Sequence, residues 1–222
     1  MKKTKSISVA TNEPVSKPIC MAVFIITILP GVLILPFLKN SQLNLFHCVL
    51  FALGWFTWTF IEYVWHRFYT HTKKEERKNK VYDNHLYHHT HPAEIKITAK
   101  QRAMMVLISA ALITISVILN NYFTFIAGLW MGINCFFLIH YSLHQQWAPK
   151  IFPGLVRFHM IHHCKNPDSC FCFSLTFWDT LFNTSPPDKL TISPRIIDFY
   201  FGKRPNNIVA INKIVDKIFF AP

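Results

Sequence analysis

Twelve histidines occur in this chain of 222 residues, and ten of them fall into four spaced blocks. They read His66-x4-His71, His85-x2-His88-His89, His140-x3-His144 and His159-x2-His162-His163. Neutral imidazole is a common ligand for iron, zinc and copper. On a helix, positions i, i+3 and i+4 share a face. Each H-x2-H-H block is therefore expected to turn three imidazoles in one direction, and the pair at 140 and 144 to do the same. One metal ion takes at most about five such ligands, so ten imply two ions.

Scattered structural histidines are the alternative, and they fit poorly. An unpartnered buried polar group costs on the order of 1–3 kcal/mol, and polar side chains near a membrane are expensive unless they have work there. Soluble di-iron proteins build their sites from Glu and Glu-x-x-His on helices. This chain has 11 acidic residues, none at that spacing among the blocks, which leaves ligation by histidine alone.

Several residues around the blocks carry expectations of their own. Glu62 is an acid inside an apolar run, four residues before His66. A carboxylate there can accept the second ring N–H of a metal-bound histidine, with hydration at a helix end as the alternative. Asp179, in "FWD", is expected to fix the cytosolic cap or support a ligand in the same way, with a local turn or capping role as the alternative. His91 either backs the ligands from the substrate side or is a solvated loop residue beside Pro92. His47 is expected to be structural or interfacial, near the membrane face opposite the cluster. Cys20, Cys48 and Cys135 sit in apolar runs, and "CKNPDSCFC" lacks the paired C-x2-C spacing of a zinc knuckle. Free thiols in a reducing compartment follow.

The elements that must position these groups are membrane elements. Half of the chain (51%) is hydrophobic and only 15% is charged, with a mean hydropathy of +0.25. The formal net charge of +12 would suggest nucleic acid on a soluble protein, but here it reads as basic flanks of membrane spans. Four runs approach the roughly 20 apolar residues a spanning helix needs: residues 18–38, 45–65, 103–119 and 122–143. The first starts too late and runs too long for a cleaved signal peptide. Short connections pair the spans as two hairpins. All lysines and arginines except Lys39 lie in the amino-terminal tail, the 66–102 segment or the tail after 145, so these face the cytoplasm.

The expected fold is an all-α integral membrane protein forming a single domain over residues 1–222. Segments 66–102 and 146–222 make a cytosolic cap over a histidine-ligated dimetal site. Residues 207–220 are expected to lie at the interface as an amphipathic helix. The run "KKEERKNK" (73–80) faces lipid headgroups or docks an acidic electron donor or acyl carrier. Trp55, Trp58, Trp65 and Trp130 are expected to pack in the core or at the interface.

Four stretches carry a resemblance: "EYVWHRFYTH", "HLYHHTHP", "HYSLH" and "FHMIHHCKNPDSCFCFSLTFWDTLFNT". Together they resemble the fatty acid hydroxylase superfamily of integral-membrane di-iron enzymes, which includes sterol desaturases, and within it most resemble the fatty acid 2-hydroxylases. The resemblance covers residues 62–184. It implies two Fe ions, with zinc able to replace them in purified samples. The matching ligand positions are His66, His71, His85, His88, His89, His140, His144, His159, His162 and His163. It also implies insertion of one oxygen atom from O2 into a C–H bond of a lipid acyl chain. Two positions depart from the family pattern: Leu86 where H-G-x-H-H has glycine, and Asn183 where glycine commonly precedes the threonine. No cytochrome b5 domain is expected ahead of the membrane region, so electrons are expected from a separate protein of cytochrome b5 or ferredoxin type. The active site is expected on the cytoplasmic face of a bacterial inner membrane or the endoplasmic reticulum. No Ser-His-Asp arrangement or nucleic-acid-binding pattern stands out. A desaturase or a sterol or carotenoid oxidase would share the metal site, and a non-enzymatic metal-binding membrane protein is the alternative of a different class.

Overall fold

A computed structural model describes residues 45–71, 80–119, 122–186 and 190–202. The expected first span (18–38), nearly all of "KKEERKNK" and the amphipathic segment 207–220 lie outside the described residues.

The described residues are helical throughout, with no strand among them. Helix α1 spans Leu45–Val64 and continues as a π-helical turn, Trp65–Thr70. Then come α2 (Lys80–Thr90), α3 (Ala99–Leu119), α4 (Phe123–Leu143), α5 (Pro153–Cys164), α6 (Phe177–Leu181) and α7 (Pro194–Phe201). Three described segments are long and apolar enough to cross a bilayer: Phe46–Thr70, Ala99–Ser116 and Phe123–Leu143. The first outruns the expected 45–65 because the π turn carries it to Thr70, and α3 begins four residues before the expected 103.

Close backbone approach fixes how α1 and α4 sit. A Cβ on Gly54 would lie 2.0 Å from the Phe125 carbonyl oxygen, and one on Gly128 would lie 2.1 Å from that of Phe51. A Cβ on Gly132 would meet Trp58 Cβ at 2.5 Å. Gly128 and Gly132 form the small-xxx-small pattern that lets helices touch in a membrane. Positions 51, 54 and 58 meet 128, 125–129 and 132 in rising order, so α1 and α4 run parallel. Trp58 and Gly132 each precede a histidine, His66 and His140, by eight residues. The packing therefore sets these two histidines level, at the same end of the pair.

Helix α3 meets α4 through a polar contact: Trp130 Nε1–H and the Asn134 side-chain amide both donate to Ser109 Oγ, at 3.1 and 2.9 Å. Beyond α4, the core of Leu143, Val156, Met160, Ile161, Phe173 and Tyr200 is fully buried. Proline opens both α5 and α7, where its missing N–H costs nothing.

Candidate metal centre

The ten spaced histidines converge at that shared end in two groups of five. His66, His71, His85, His89 and His162 form one group, and His88, His140, His144, His159 and His163 the other. Within each group the ligand atoms lie within 4.8 Å of one another.

The expectation of three imidazoles pointing one way is corrected. His85 and His89 serve the first group while His88 serves the second. His159 and His163 serve the second while His162 serves the first. The reason lies in helix geometry: at 3.6 residues per turn, i+4 falls about 40° to one side of i and i+3 about 60° to the other. The i, i+4 pair shares a target, and the i+3 residue reaches a different one. His66 and His71 pose the opposite problem, because i+5 lies about 140° round an α-helix. The π turn between them, with its i→i+5 bonding, brings both to the first group.

The ring nitrogens define what the groups can hold. In the first, His85 Nε2 lies 3.1 Å from His66 Nε2, 2.8 Å from His71 Nε2 and 3.0 Å from His89 Nε2. His71 Nε2 lies 3.2 Å from His162 Nε2. A carbonyl can only accept, so the contacts of His66 Nδ1 with Phe171 O and of His162 Nδ1 with Ser169 O (2.7 Å) place the proton on Nδ1. Their Nε2 atoms are then bare lone pairs. His85 Nε2 has at most one proton to share among three neighbours. Lone pairs therefore face one another, which a shared cation would reconcile. In the second group, His88 meets His140 and His144 meets His159, each pair at 2.9 Å between Nε2 atoms. Both nitrogens of buried His163 lack a hydrogen-bond partner. This donor set fits two imidazole-bound metal ions.

Burial keeps the histidines neutral. It lowers His71 and His88 from the usual 6.5 to about 4. It lowers His89 to about 3, against a hydrogen bond to the His163 carbonyl that acts in the opposite direction. His144, His159, His162 and His163 are held well below their ordinary value, first by burial and then by neighbouring imidazoles. Neutral rings are ligand-competent rings.

The frame behind the ligands is the 169–174 loop. Cys170 adopts φ 60°, a left-handed conformation that costs a non-glycine residue about 1–2 kcal/mol. The residues on either side of it, Ser169 and Phe171, supply the carbonyls that bond His162 and His66. Two buried carboxylates hold successive parts of the loop. Asp179 accepts the N–H groups of Phe171 and Cys172 at 2.9 and 2.8 Å, and the Thr184 hydroxyl at 2.7 Å. Glu62 Oε1 accepts those of Phe173 and Ser174 at 2.6 and 3.1 Å. Glu62 thus does not bond the His66 ring as expected, because the Phe171 carbonyl takes that place. Its support is exerted through the loop.

Tyr63 joins α1 to this frame: its hydroxyl lies 3.2 Å from Thr184 Oγ1 and accepts from Arg67. Phe171 packs against His66, His71 and His162, while Phe173 packs against His66, His140 and His159. Tyr200 stacks on His144 at 4.7 Å. Phe171, Phe173, Tyr63 and Tyr200 escaped the reading of spacings, since aromatic packing partners leave no periodic mark. His91 is exposed and stacks on Tyr87, outside both groups. His47 is buried in α1, far along the helix from His66.

Both departures from the family pattern have a backbone explanation. Asn183 has φ 54°, and asparagine is among the few residues that tolerate the region glycine favours. Leu86 lies within α2 with its side chain half exposed, so no glycine is required there.

Bilayer-length helices capped by a ten-histidine cluster with a donor set for two metal ions define a membrane-type, all-helical class of chain. The family model described as Fatty acid hydroxylase matches residues 51–184, and the chain belongs to that family. It is 30% identical over 155 residues to the ceramide very long chain fatty acid hydroxylase SCS7 of Saccharomyces cerevisiae, covering 66% of this chain and 40% of that one. It is 30% identical over 148 residues to the dihydroceramide fatty acyl 2-hydroxylase FAH1 of Arabidopsis thaliana, covering 62% and 61%. A solved structure, full-length scs7p with only the hydroxylase domain visible, aligns over 79% of this chain and 67% of its own. It does so at a TM-score of 0.46 and 24% identity. The chain spans 40% to 61% of the length of these two curated relatives.

Proposed function

We propose that this chain is a membrane-bound, O2-dependent di-iron monooxygenase that hydroxylates a lipid acyl chain, most like a fatty acid 2-hydroxylase. The observation that carries the reading is the sorting of all ten family-matching histidines into two groups of five. Iron in both groups would supply reduction of O2, with one oxygen atom entering a C–H bond and the other leaving as water. Two electrons and two protons are needed for that balance, and a separate donor protein of cytochrome b5 or ferredoxin type supplies the electrons.

The chain's own residues do the holding. His66, His71, His85, His89 and His162 take one ion; His88, His140, His144, His159 and His163 take the other. The Phe171 and Ser169 carbonyls fix two rings in the Nδ1–H tautomer, which leaves Nε2 for the metal. Phe171 and Phe173 are buried against the cluster and keep water from it. No side chain acts as a nucleophile. The site faces the cytoplasm in this reading, which the basic segments support, with substrate entering laterally from that leaflet.

The test is total fatty acid analysis by mass spectrometry of a host expressing the wild type or His162→Ala. Acyl chains one oxygen atom heavier, in the wild type only, support the proposal. Products two hydrogen atoms lighter would move the chain to desaturation. Identical lipid profiles accompanied by different metal uptake would leave a metal-binding protein without this activity.

A further inference from the structure

We propose that residues 175–183, in a segment expected to belong to the cytosolic cap, are immersed in the bilayer hydrocarbon and bear acyl chains of the surrounding lipid. The argument starts from depth. Any stretch of about 20 residues within Phe46–Thr70 that fills the hydrocarbon must include residues 51–65. Helix α6 packs on that part of α1. Trp178 lies 5.2 Å from Phe56 and 4.9 Å from Phe60 between ring centroids, and its Nε1–H donates to Thr59 Oγ1 at 2.9 Å. Phe177 meets Phe56 at 6.5 Å, and Phe182 stacks on Tyr63 at 5.0 Å. Phe56 precedes His66 by ten residues, about 15 Å along the helix.

The outward face agrees with that depth. Phe177, Leu181 and Phe182 are 47%, 55% and 42% exposed, and they continue the exposed face of α1 formed by Phe56 and Phe60. From Ser169 to Pro186 the only charged residue is Asp179, and it is fully buried. Among the polar side chains of this segment, that of Asn183 is exposed, while those of Trp178, Asp179 and Thr180 turn inward or to neighbours. Trp178 bonds Thr59, Asp179 bonds the loop, and exposed Thr180 bonds the Thr176 carbonyl and Ser185. The N–H groups of Thr180, Phe182, Asn183 and Thr184 all find carbonyls within the segment, which is favourable for backbone in lipid. An aqueous face would be expected to carry charge. This one carries aromatic rings, continuous with a helix built to meet lipid. Asp179 joins the immersed segment to the loop that supplies carbonyls to His66 and His162, so the lipid-facing element and the ligand frame are one unit.

Full-length protein in phosphatidylcholine vesicles containing a trace of phosphatidylcholine with a mid-chain diazirine tests this. After irradiation, mass spectrometry maps the adducts. Adducts on 175–183 at a frequency within about twofold of those on residues 46–61, undiminished by excess unlabelled free fatty acid, support immersion. Adducts on 46–61 with none on 175–183 would overturn it. So would modification of Phe177 and Phe182 by hydroxyl-radical footprinting as strong as that of exposed Tyr87. Adducts that free fatty acid competes away would also overturn it, since they would mark an acyl-binding pocket in place of bulk lipid contact. None of these readouts depends on catalytic activity.

Discussion

His88 and His89 are neighbours in sequence, yet their imidazoles stand 6.2 Å apart at 77° and belong to different groups of five. The same division separates His162 from His163. Each H-x2-H-H helix is therefore shared between the two groups, giving two ligands to one and one to the other. The reciprocal contribution of α2 and α5 ties the groups into a single unit.

Substitution on either side of that division should act on one group at a time. His88→Ala and His89→Ala are each expected to lower bound metal from about two equivalents to about one, measured by plasma mass spectrometry on purified protein. If either alanine stripped both ions, the groups would not be separate sites.

Much of this was readable from spacing, and the unreadable part has identifiable causes. The ten histidine positions that converge in two groups and the helical class follow from counting residues, because imidazole and apolar runs are marked in the side chains. That His88 parts from His89 follows from the angle between neighbouring helix positions, but which group each joins depends on how α2 is rotated against α1 and α5, which no single segment encodes. The carbonyls of Ser169 and Phe171 are backbone atoms, and any residue type would supply them. Glu62 acts on His66 at one remove, through a loop that comes more than 100 residues later in the chain and that spacing around His66 does not reveal. The H-x4-H spacing did hold a usable signal: five residues do not fit an α-helical face, and the π turn at Trp65–Thr70 is the resolution.

The two buried carboxylates should respond differently to amide substitution. Both N–H groups held by Glu62 converge on Oε1, so Glu62→Gln keeps both acceptor contacts and should unfold close to the wild type. Asp179 uses both oxygens, so Asp179→Asn sets an amide donor against an N–H. Hydrogen bonds to charged groups are worth about 1.5–3 kcal/mol each. Asp179→Ala, which loses three, should destabilise by about 3 kcal/mol or more, and Thr184→Val by about 1 kcal/mol. Denaturant unfolding in detergent ranks the set, and metal content should fall in the same order.

Acid should loosen the metal-free protein over a defined window. Burial lowers His71 and His88 from 6.5 to about 4 and His89 to about 3. The folded state therefore resists protons that the unfolded chain accepts, and stability rises with pH where the unfolded state binds more. Stability contributed by these rings is present above 6.5 and is lost as pH falls toward 4. Unfolding midpoints of metal-free protein at pH 7.5, 6 and 5 should decline in that order. Metal-loaded protein should hold its midpoint further down the range, because protons must first displace the ions.

Asn183 tests the backbone argument without disturbing the core, since its side chain is exposed and its φ is 54°. Asn183→Gly should leave the unfolding midpoint unchanged or slightly raised. Asn183→Val should destabilise by about 1–2 kcal/mol, the cost of a branched residue in the left-handed region. Equal behaviour of the two would mean that the turn before Thr184 does not constrain the loop.

The parallel seating of α1 and α4 levels His66 with His140, and glycine makes it possible. A Cβ at Gly128 would sit 2.1 Å from the Phe51 carbonyl oxygen, an atom of the backbone that cannot rotate away. Gly128→Ala must separate the helices, at a cost at or above the upper end of the roughly 1–3 kcal/mol typical of overpacking. It should also lower metal binding, although no ligand is touched. Gly154, in α5, has nothing within 4 Å of its missing Cβ. Gly154→Ala should be neutral or stabilise by up to about 0.5–1 kcal/mol, because glycine in a helix costs that much relative to alanine. Comparing the two alanines by unfolding midpoint and bound metal separates helix approach from helix propensity. A Gly128→Ala protein that retained both ions and its midpoint would show that the ligands do not depend on the α1–α4 contact.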